Sequence, residues 1–154
     1  MIIYPQKYRQ IYVAEAHRAL YLSSLCSRSD MKDQEKAVIL KEAGVIFGLI
    51  GHREARDDFG EGAHLNKQIR IAIDYGIIPI LCCGEPKGSL VESEAVREKD
   101  LEAELITALE GFTGQELLQG QLTIAYEPGH VIGLDQPADM GYIRSGFSLI
   151  KRIL

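Results

Sequence analysis

The sequence contains no tryptophan, only three cysteines and no apolar run long enough to cross a membrane. A membrane helix needs about 20 consecutive apolar residues, so we expect no membrane span. Cys82 and Cys83 are adjacent and flanked by apolar residues, and the third cysteine is Cys26. This odd number, without the two-residue gap of a metal or redox pair, predicts reduced core thiols in a cytoplasmic protein.

An excess of basic charge is also missing. The 154 residues carry 17 Lys and Arg against 22 Asp and Glu, which gives a formal net charge of −5. Nucleic-acid binding needs a basic surface, so we expect no nucleic-acid partner. The residues from Met1 to Pro5 have no basic segment before their apolar run and no small-residue cleavage site, so we predict no signal peptide.

Apolar residues are plentiful enough for a large core. They make up 46% of the chain and charged residues 25%, values typical of a soluble globular protein and far from those of a disordered one. A chain of this length is most often one domain. We therefore predict a single domain over residues 1–154.

One pattern occurs three times along the chain. A helical stretch ends at a glycine, a short run rich in Ile, Val and Leu follows, and a polar residue closes the run. The glycines, each predicted to adopt the left-handed conformation that ends many helices, are Gly44, Gly76 and Gly120. The apolar runs cover residues 45–50, 77–83 and 122–126, and their lack of alternation predicts strands buried on both faces of a parallel sheet.

Helices are predicted between these strands. Apolar residues recur there at helical spacing, at Leu65, Ile69, Ile73, Leu101, Leu105 and Leu109. A last helix is predicted from about Met140 to Leu154, and two earlier strands over residues 2–4 and 11–14 bring the number of strands to five. Strands that alternate with helices indicate an α/β fold with parallel strands.

Polar residues close the three apolar runs, at His52, Glu85 and Glu127. Because sites of parallel α/β folds form at the carboxyl ends of the strands, we expect these residues to face one region. Glu127, held by the following Pro128, suits a general base, and the alternative is an ordinary capping carboxylate. His52 suits a hydrogen-bond donor to a substrate oxygen, and the alternative is a buried histidine bonded to the backbone. We interpret Glu85 as a structural carboxylate.

The remaining candidates are weaker. Glu54 is either a carboxylate at the start of a helix or the partner of a cation in the site. Glycines of the loop after Glu127, among them Gly133, can bind a phosphate through backbone N–H groups. The histidines outside the site show no metal-ligand spacing, and no Walker or GxGxxG motif supports a nucleotide site.

Three segments together resemble the triosephosphate isomerase family. Residues 49–56 and 59–61, which read LIGHREAR and FGE, resemble that family's GHSERR…FGE segment. Residues 76–85 read GIIPILCCGE and resemble its GL-P-I-C-GE strand, and AYEP at 125–128 with IG at 132–133 is similar to its AYEPVWAIGTG segment. The segments follow the order and about the spacing of the family, and the resemblance covers residues 38–154 well.

The resemblance implies a (β/α)8 barrel, with about five of its strands in this chain. It implies interconversion of dihydroxyacetone phosphate and glyceraldehyde 3-phosphate, or of a close three- or four-carbon sugar phosphate, without any cofactor. Glu127 would remove the carbon-bound proton and neutral His52 would polarise the carbonyl. Glu54 would be the acidic partner in the site, Gly133 would offer its N–H to the phosphate, and Cys82 would lie beside the site. A homodimer active in glycolysis and gluconeogenesis is the implied assembly.

The chain also departs from the family pattern. Arg53 replaces the family's serine, Ala55 replaces an arginine, and the loop after Glu127 reads PGHVIGLD where the family has PVWAIGTG. A complete barrel takes about 250 residues, and this chain resembles the part from about the second strand to the sixth helix. The alternative hypothesis is therefore a truncated, catalytically inactive homologue that acts as a structural or interaction module.

Overall fold

A computed structural model of the protein describes residues 33–53, Arg56, residues 63–86 and residues 93–154, together with the backbone of residues 20–21. Within these residues the strands are β1 Leu20–Tyr21, β2 Phe47–Ile50, β3 Ile78–Cys83 and β4 Thr123–Tyr126. The helices are α1 Asp33–Glu42, α2 Ala63–Asp74, α3 Glu94–Leu109, α4 Gly114–Gln119 and α5 Met140–Ile153. A 3-10 turn, Gly129–Val131, follows β4.

The four strands form one parallel sheet in the order β1-β2-β3-β4. Phe47 of β2 lies opposite Ile78 of β3, and Ile80 of β3 lies opposite Thr123 of β4. At least one helix separates each strand from the next, which is the connection that parallel neighbours require. The predicted α/β fold with parallel strands is confirmed, and the carboxyl ends of the strands meet at one edge.

The sheet has two different faces. Leu81 and Cys83 of β3 pack into a large core with the helices, whereas Ile80 and Cys82 belong to a smaller cluster formed by strand residues and their neighbours. Alternate residues of a strand point to opposite faces, which explains this division. The second face, which we call the inner face, corresponds to the interior of a parallel barrel, where side chains of neighbouring strands meet in layers.

The predicted helical spacing marks the side of each helix that is buried. In α2 and α3 the residues Leu65, Ile69, Leu101 and Leu105 are all at most 2% exposed. Burying one such side chain contributes about 1.5–3 kcal/mol to stability. None of the described helices is both long and apolar enough to span a membrane.

The predicted boundaries are close to the observed ones. Each of the predicted runs 45–50, 77–83 and 122–126 contains an observed strand that begins one or two residues later. The short strand β1 is not anticipated by the sequence, because two residues carry too little pattern. The strands predicted over residues 2–4 and 11–14 lie outside the described residues.

The predicted left-handed glycine conformation is correct at two helix ends and wrong at the third. Gly44 and Gly76 have φ of 80° and 65°, but Gly120 has φ of −72° and the following Gln121 takes the positive φ of 56°. Gly120 lies against Ile73, where an added Cβ would come within 2.6 Å of Cγ1. Close packing, rather than backbone conformation, therefore requires glycine at this position.

Candidate active site

His52 and Glu127 meet at the carboxyl end of the sheet. Nε2 of His52 lies 3.4 Å from Oε1 of Glu127, and the backbone N–H of Arg53 donates a hydrogen bond of 3.3 Å to Oε2 of the same carboxylate. The carboxylate thus lies between an imidazole and a main-chain donor. The side chains of His52 and Glu127 are 27% and 25% exposed, so a small ligand has access to both.

Main-chain contacts fix the position of Glu127. Its N–H donates to the carbonyl oxygen of Cys83 at 2.8 Å. A Cβ added at Gly84 would lie 2.0 Å from the carbonyl oxygen of Glu127, and one added at Gly129 would lie 2.1 Å from that of Glu85. The two glycines therefore allow the segment after β4 to lie directly on the turn after β3.

Cys82 lies beside the Glu127 carboxylate on the inner face of the sheet. Burial raises the pKa of the Cys82 thiol far above its usual range, and the charge of Glu127 raises it further. Cys82 is a free thiol, so it contributes a small neutral group to the site. Among the described residues, no group of three His, Cys, Asp or Glu side chains is arranged to hold a metal ion.

Glu85 does not join this region, so the expectation that it faces His52 and Glu127 is wrong. Its Oε1 accepts hydrogen bonds from Nε of Arg97 at 3.0 Å and from the hydroxyl of Tyr126 at 2.7 Å. Both partners belong to the side of the sheet covered by helices, and Glu85 is only 1% exposed. The geometry agrees with a structural role for this carboxylate.

Arg97 extends this cluster across three elements. Its guanidinium lies 3.7 Å from the ring centre of Tyr142 and donates to the carbonyl oxygen of Tyr142 and to Oγ of Ser145. It also donates to the hydroxyl of Tyr126 at 2.9 Å. Sequence reasoning missed Arg97. The signal that points to it is its position four residues before Leu101 and eight before Leu105, which places Arg97 on the buried side of α3.

A pH dependence of stability is expected from Glu85. Burial acts to raise the pKa of Glu85, but hydrogen bonds from Tyr126 and Arg97 outweigh it and hold the pKa below its ordinary value of 4.5. A carboxyl with a lowered folded-state pKa stabilises the fold above its unfolded pKa, and this contribution is lost as the pH falls through the folded pKa. We expect the free energy of unfolding to decrease below pH 4.5.

Urea unfolding between pH 7 and pH 3 measures this dependence. Glu85→Gln is expected to show a shallower decrease in unfolding free energy, because glutamine does not titrate. An equal slope in the variant and the wild-type protein would contradict the assignment.

Two buried arginines of the segment after β2 are not assigned a role in the site by the sequence, although Arg53 is named there as a departure from the family pattern. Arg53 donates from Nη2 to the carbonyl oxygens of Gly84 and Glu85, at 3.0 Å and 3.2 Å. Arg56 donates to the carbonyl oxygens of Gly51 and Cys82 and forms an ion pair with Glu104 of α3. Burial raises the pKa of Glu104, and the charge of Arg56 opposes that effect. Both arginines therefore join the ends of neighbouring elements.

The other predicted site residues are placed as follows. Gly133 lies in the exposed loop after the 3-10 turn and has φ of 80°, a conformation that glycine adopts without strain. In the turn itself, His130 packs edge-on against Tyr142 with ring centres 4.6 Å apart. Glu54 lies outside the described residues.

Comparison with known proteins yields a consistent set of matches. A family model described as triosephosphate isomerase matches residues 35–154. The triosephosphate isomerase of Roseiflexus castenholzii is 36% identical over 118 residues, which are 76% of this chain and 45% of that protein. For the enzyme of Lactobacillus delbrueckii subsp. lactis the identity is 43% over 102 residues, or 65% of this chain and 38% of that protein. The chain spans less than half the length of these relatives.

Proposed function

This chain belongs to the triosephosphate isomerase family, and from this membership we propose that the protein carrying it is an aldose–ketose isomerase. The proposed reaction interconverts glyceraldehyde 3-phosphate and dihydroxyacetone phosphate, or a close three- or four-carbon sugar phosphate. The observation that carries the proposal is the 3.4 Å approach of His52 Nε2 to Glu127 Oε1. It places a base and a hydrogen-bond donor within reach of adjacent atoms of one small substrate.

Glu127 is the base in this reaction. It removes a proton from the carbon next to the carbonyl and returns it to the former carbonyl carbon. The electron pair of the broken C–H bond forms the carbon–carbon double bond of an enediolate, and the carbonyl electrons move to oxygen. As the new carbonyl forms, the hydroxyl proton of the other carbon passes to the enediolate oxygen. Substrate and product therefore have the same composition, and the reaction consumes no external oxidant or reductant.

His52 is the electrophile. As a neutral imidazole it donates its Nε2 hydrogen to the carbonyl oxygen, where negative charge develops as the proton leaves carbon. A donor already held in place stabilises that charge without reorganisation of solvent. Substrate binding between the two side chains replaces their mutual contact with contacts to the substrate.

The surroundings of the pair support this chemistry. Ala125 and the neutral thiol of Cys82 form a buried floor on the inner face, which keeps water from the enediolate. Gly133 binds the phosphate through its N–H, and Glu54 is the acidic partner in the site, as the family pattern implies for these positions. Loop closure over the substrate brings the Gly133 N–H to the phosphate.

The proposal also covers the cellular compartment and the oligomeric state of the protein. The protein acts as a cytoplasmic homodimer in glycolysis and gluconeogenesis, in line with its family. The buried free thiols of Cys82 and Cys83 support a reducing compartment. Size-exclusion chromatography with light scattering tests the dimer directly.

The activity is tested with the purified protein that carries this chain. We expect conversion of glyceraldehyde 3-phosphate to dihydroxyacetone phosphate in a coupled assay, and incorporation of deuterium at carbon when the reaction runs in D2O. Deuterium incorporation separates a proton-transfer mechanism from an internal hydride shift, which retains the substrate hydrogen. If a folded protein shows neither conversion nor exchange, the activity proposal is wrong and the hypothesis of an inactive module replaces it.

A further inference from the structure

Arg53 contacts the site through two different groups. Its backbone N–H donates to Oε2 of Glu127 at 3.3 Å. Its guanidinium donates to the carbonyl oxygens of Gly84 at 3.0 Å and of Glu85 at 3.2 Å. The residue is only 6% exposed and its two guanidinium hydrogen bonds are buried, so those two contacts are made away from competing water.

The two carbonyl groups belong to the turn on which the segment after β4 lies. An added Cβ at Gly84 would come within 2.0 Å of the carbonyl oxygen of Glu127. On the other side, an added Cβ at Gly129 would come within 2.1 Å of the carbonyl oxygen of Glu85 and 2.2 Å of that of Pro86. With so little space between the two segments, a shift of this turn displaces the backbone that carries Glu127.

From this geometry we infer that Arg53 is a positioning residue for the base. The guanidinium fixes the turn of residues 84–86, and the backbone N–H of the same residue orients the Glu127 carboxylate toward His52. Hydrogen bonds from a charged donor are the stronger kind, which suits them to hold two peptide carbonyls in place. The inference rests on the proposed function, because it assigns Glu127 as the base. A serine, which the family pattern has at this position, is too short to reach the turn.

Arg56, three residues further along the chain, provides a control. It is as buried as Arg53, at 5% exposed, and is also bonded through its guanidinium to main-chain carbonyls. Its hydrogen bonds go to Gly51, Cys82 and Glu104 rather than to the turn beneath Glu127. Loss of either guanidinium removes buried polar contacts, but only Arg53 donates directly to the turn beneath Glu127. Arg56 reaches that turn only through Glu104, which accepts a hydrogen bond from the N–H of Gly84.

The test compares Arg53→Met, Arg53→Lys and Arg56→Met in the protein that carries this chain. Each variant is measured at a temperature at which circular dichroism shows it to be folded. Hydrogen–deuterium exchange is followed in peptides that cover residues 127–133, and kcat and KM are determined with glyceraldehyde 3-phosphate.

Arg53→Met is expected to speed exchange in residues 127–133 about fivefold, because the segment loses its support. It is expected to lower kcat by a factor of about ten or more with little change in KM, because a small displacement of a reacting group is costly. Arg53→Lys is expected to give an exchange rate and a kcat between those of Arg53→Met and the wild-type protein, because an ammonium group can still bind one carbonyl. Arg56→Met lowers the thermal midpoint but is expected to change exchange in this segment and kcat much less than Arg53→Met does, because its link to the turn runs through Glu104.

Three results would overturn the inference. One is an equal effect of Arg53→Met and Arg56→Met on kcat, and another is unchanged exchange in residues 127–133 of Arg53→Met. The third result applies if Arg53→Met does not fold, in which case Arg53→Lys takes its place in the test. Exchange and kcat at wild-type values in Arg53→Lys would overturn the inference, because an ammonium group can bind only one of the two carbonyl groups. If the wild-type protein has no isomerase activity, the proposed function fails, and the exchange rates alone decide whether Arg53 holds the segment.

Discussion

Glu127→Gln is expected to lower kcat for isomerisation by a factor of about 10² to 10⁴, the usual contribution of a positioned general base. An amide does not accept a proton from carbon at neutral pH. The substitution keeps the length of the side chain, and its amide oxygen can still accept the 3.3 Å hydrogen bond from the N–H of Arg53. Steady-state kinetics measure the loss, and circular dichroism checks that the fold is retained.

Two further variants make this test specific. Glu127→Asp keeps a carboxylate but withdraws it by one methylene, so we expect kcat to fall about tenfold or more. Glu116→Gln changes an exposed carboxylate that caps α4 and has no contact with the site, so its kinetics should match those of the wild-type protein. Wild-type activity in Glu127→Gln would exclude Glu127 as the base.

Arg97→Met is expected to lower the free energy of unfolding by about 3–5 kcal/mol, the typical cost of removing one member of a buried ion pair. Glu85 and Arg97 are 1% and 3% exposed, so the remaining carboxylate cannot recover its hydration. The Tyr126 hydroxyl remains as a donor to Glu85 at 2.7 Å but supplies no countercharge. Urea unfolding at pH 7 measures the change.

The double variant Arg97→Met/Glu85→Gln distinguishes loss of the ion pair from loss of packing. Because glutamine carries no charge, the double variant is expected to be more stable than Arg97→Met alone, which a double-mutant cycle quantifies. Arg152→Met is the surface control, since Arg152 forms its ion pairs with Glu94 and Glu98 in solvent. A loss of stability in Arg97→Met no larger than in Arg152→Met would contradict the buried role of this pair.

Local patterns were sufficient to predict most of the regular structure. The burial of Leu65, Ile69, Leu101 and Leu105 follows from spacing along a single helix, and the parallel strands follow from short apolar runs between helices. The left-handed conformation predicted for Gly120 at the end of α4 is wrong, because the local pattern shows the glycine but not the side chain that packs against it. The contact of Gly120 with Ile73 depends on how two distant elements pack.

The candidate site was partly predictable for a related reason. Residues that close parallel strands share one edge of the sheet, so His52 and Glu127 could be paired from the sequence alone. Glu85 occupies an equivalent position after β3, yet it binds Arg97 and Tyr126 on the other side of the sheet. Successive residues of an extended chain point to opposite faces of the sheet, so a shift of one residue moves a side chain to the other face. The sequence alone does not show to which face Glu85 points.

The sequence by itself determined the family, the parallel α/β fold and the two residues proposed as base and electrophile. Each of these depends on order, spacing and local burial, which are properties of a linear chain. Only the tertiary structure decided the partners of Arg53, Arg56 and Arg97. Their long side chains reach groups in elements far away along the chain, so the partner of each guanidinium is settled only when the elements pack.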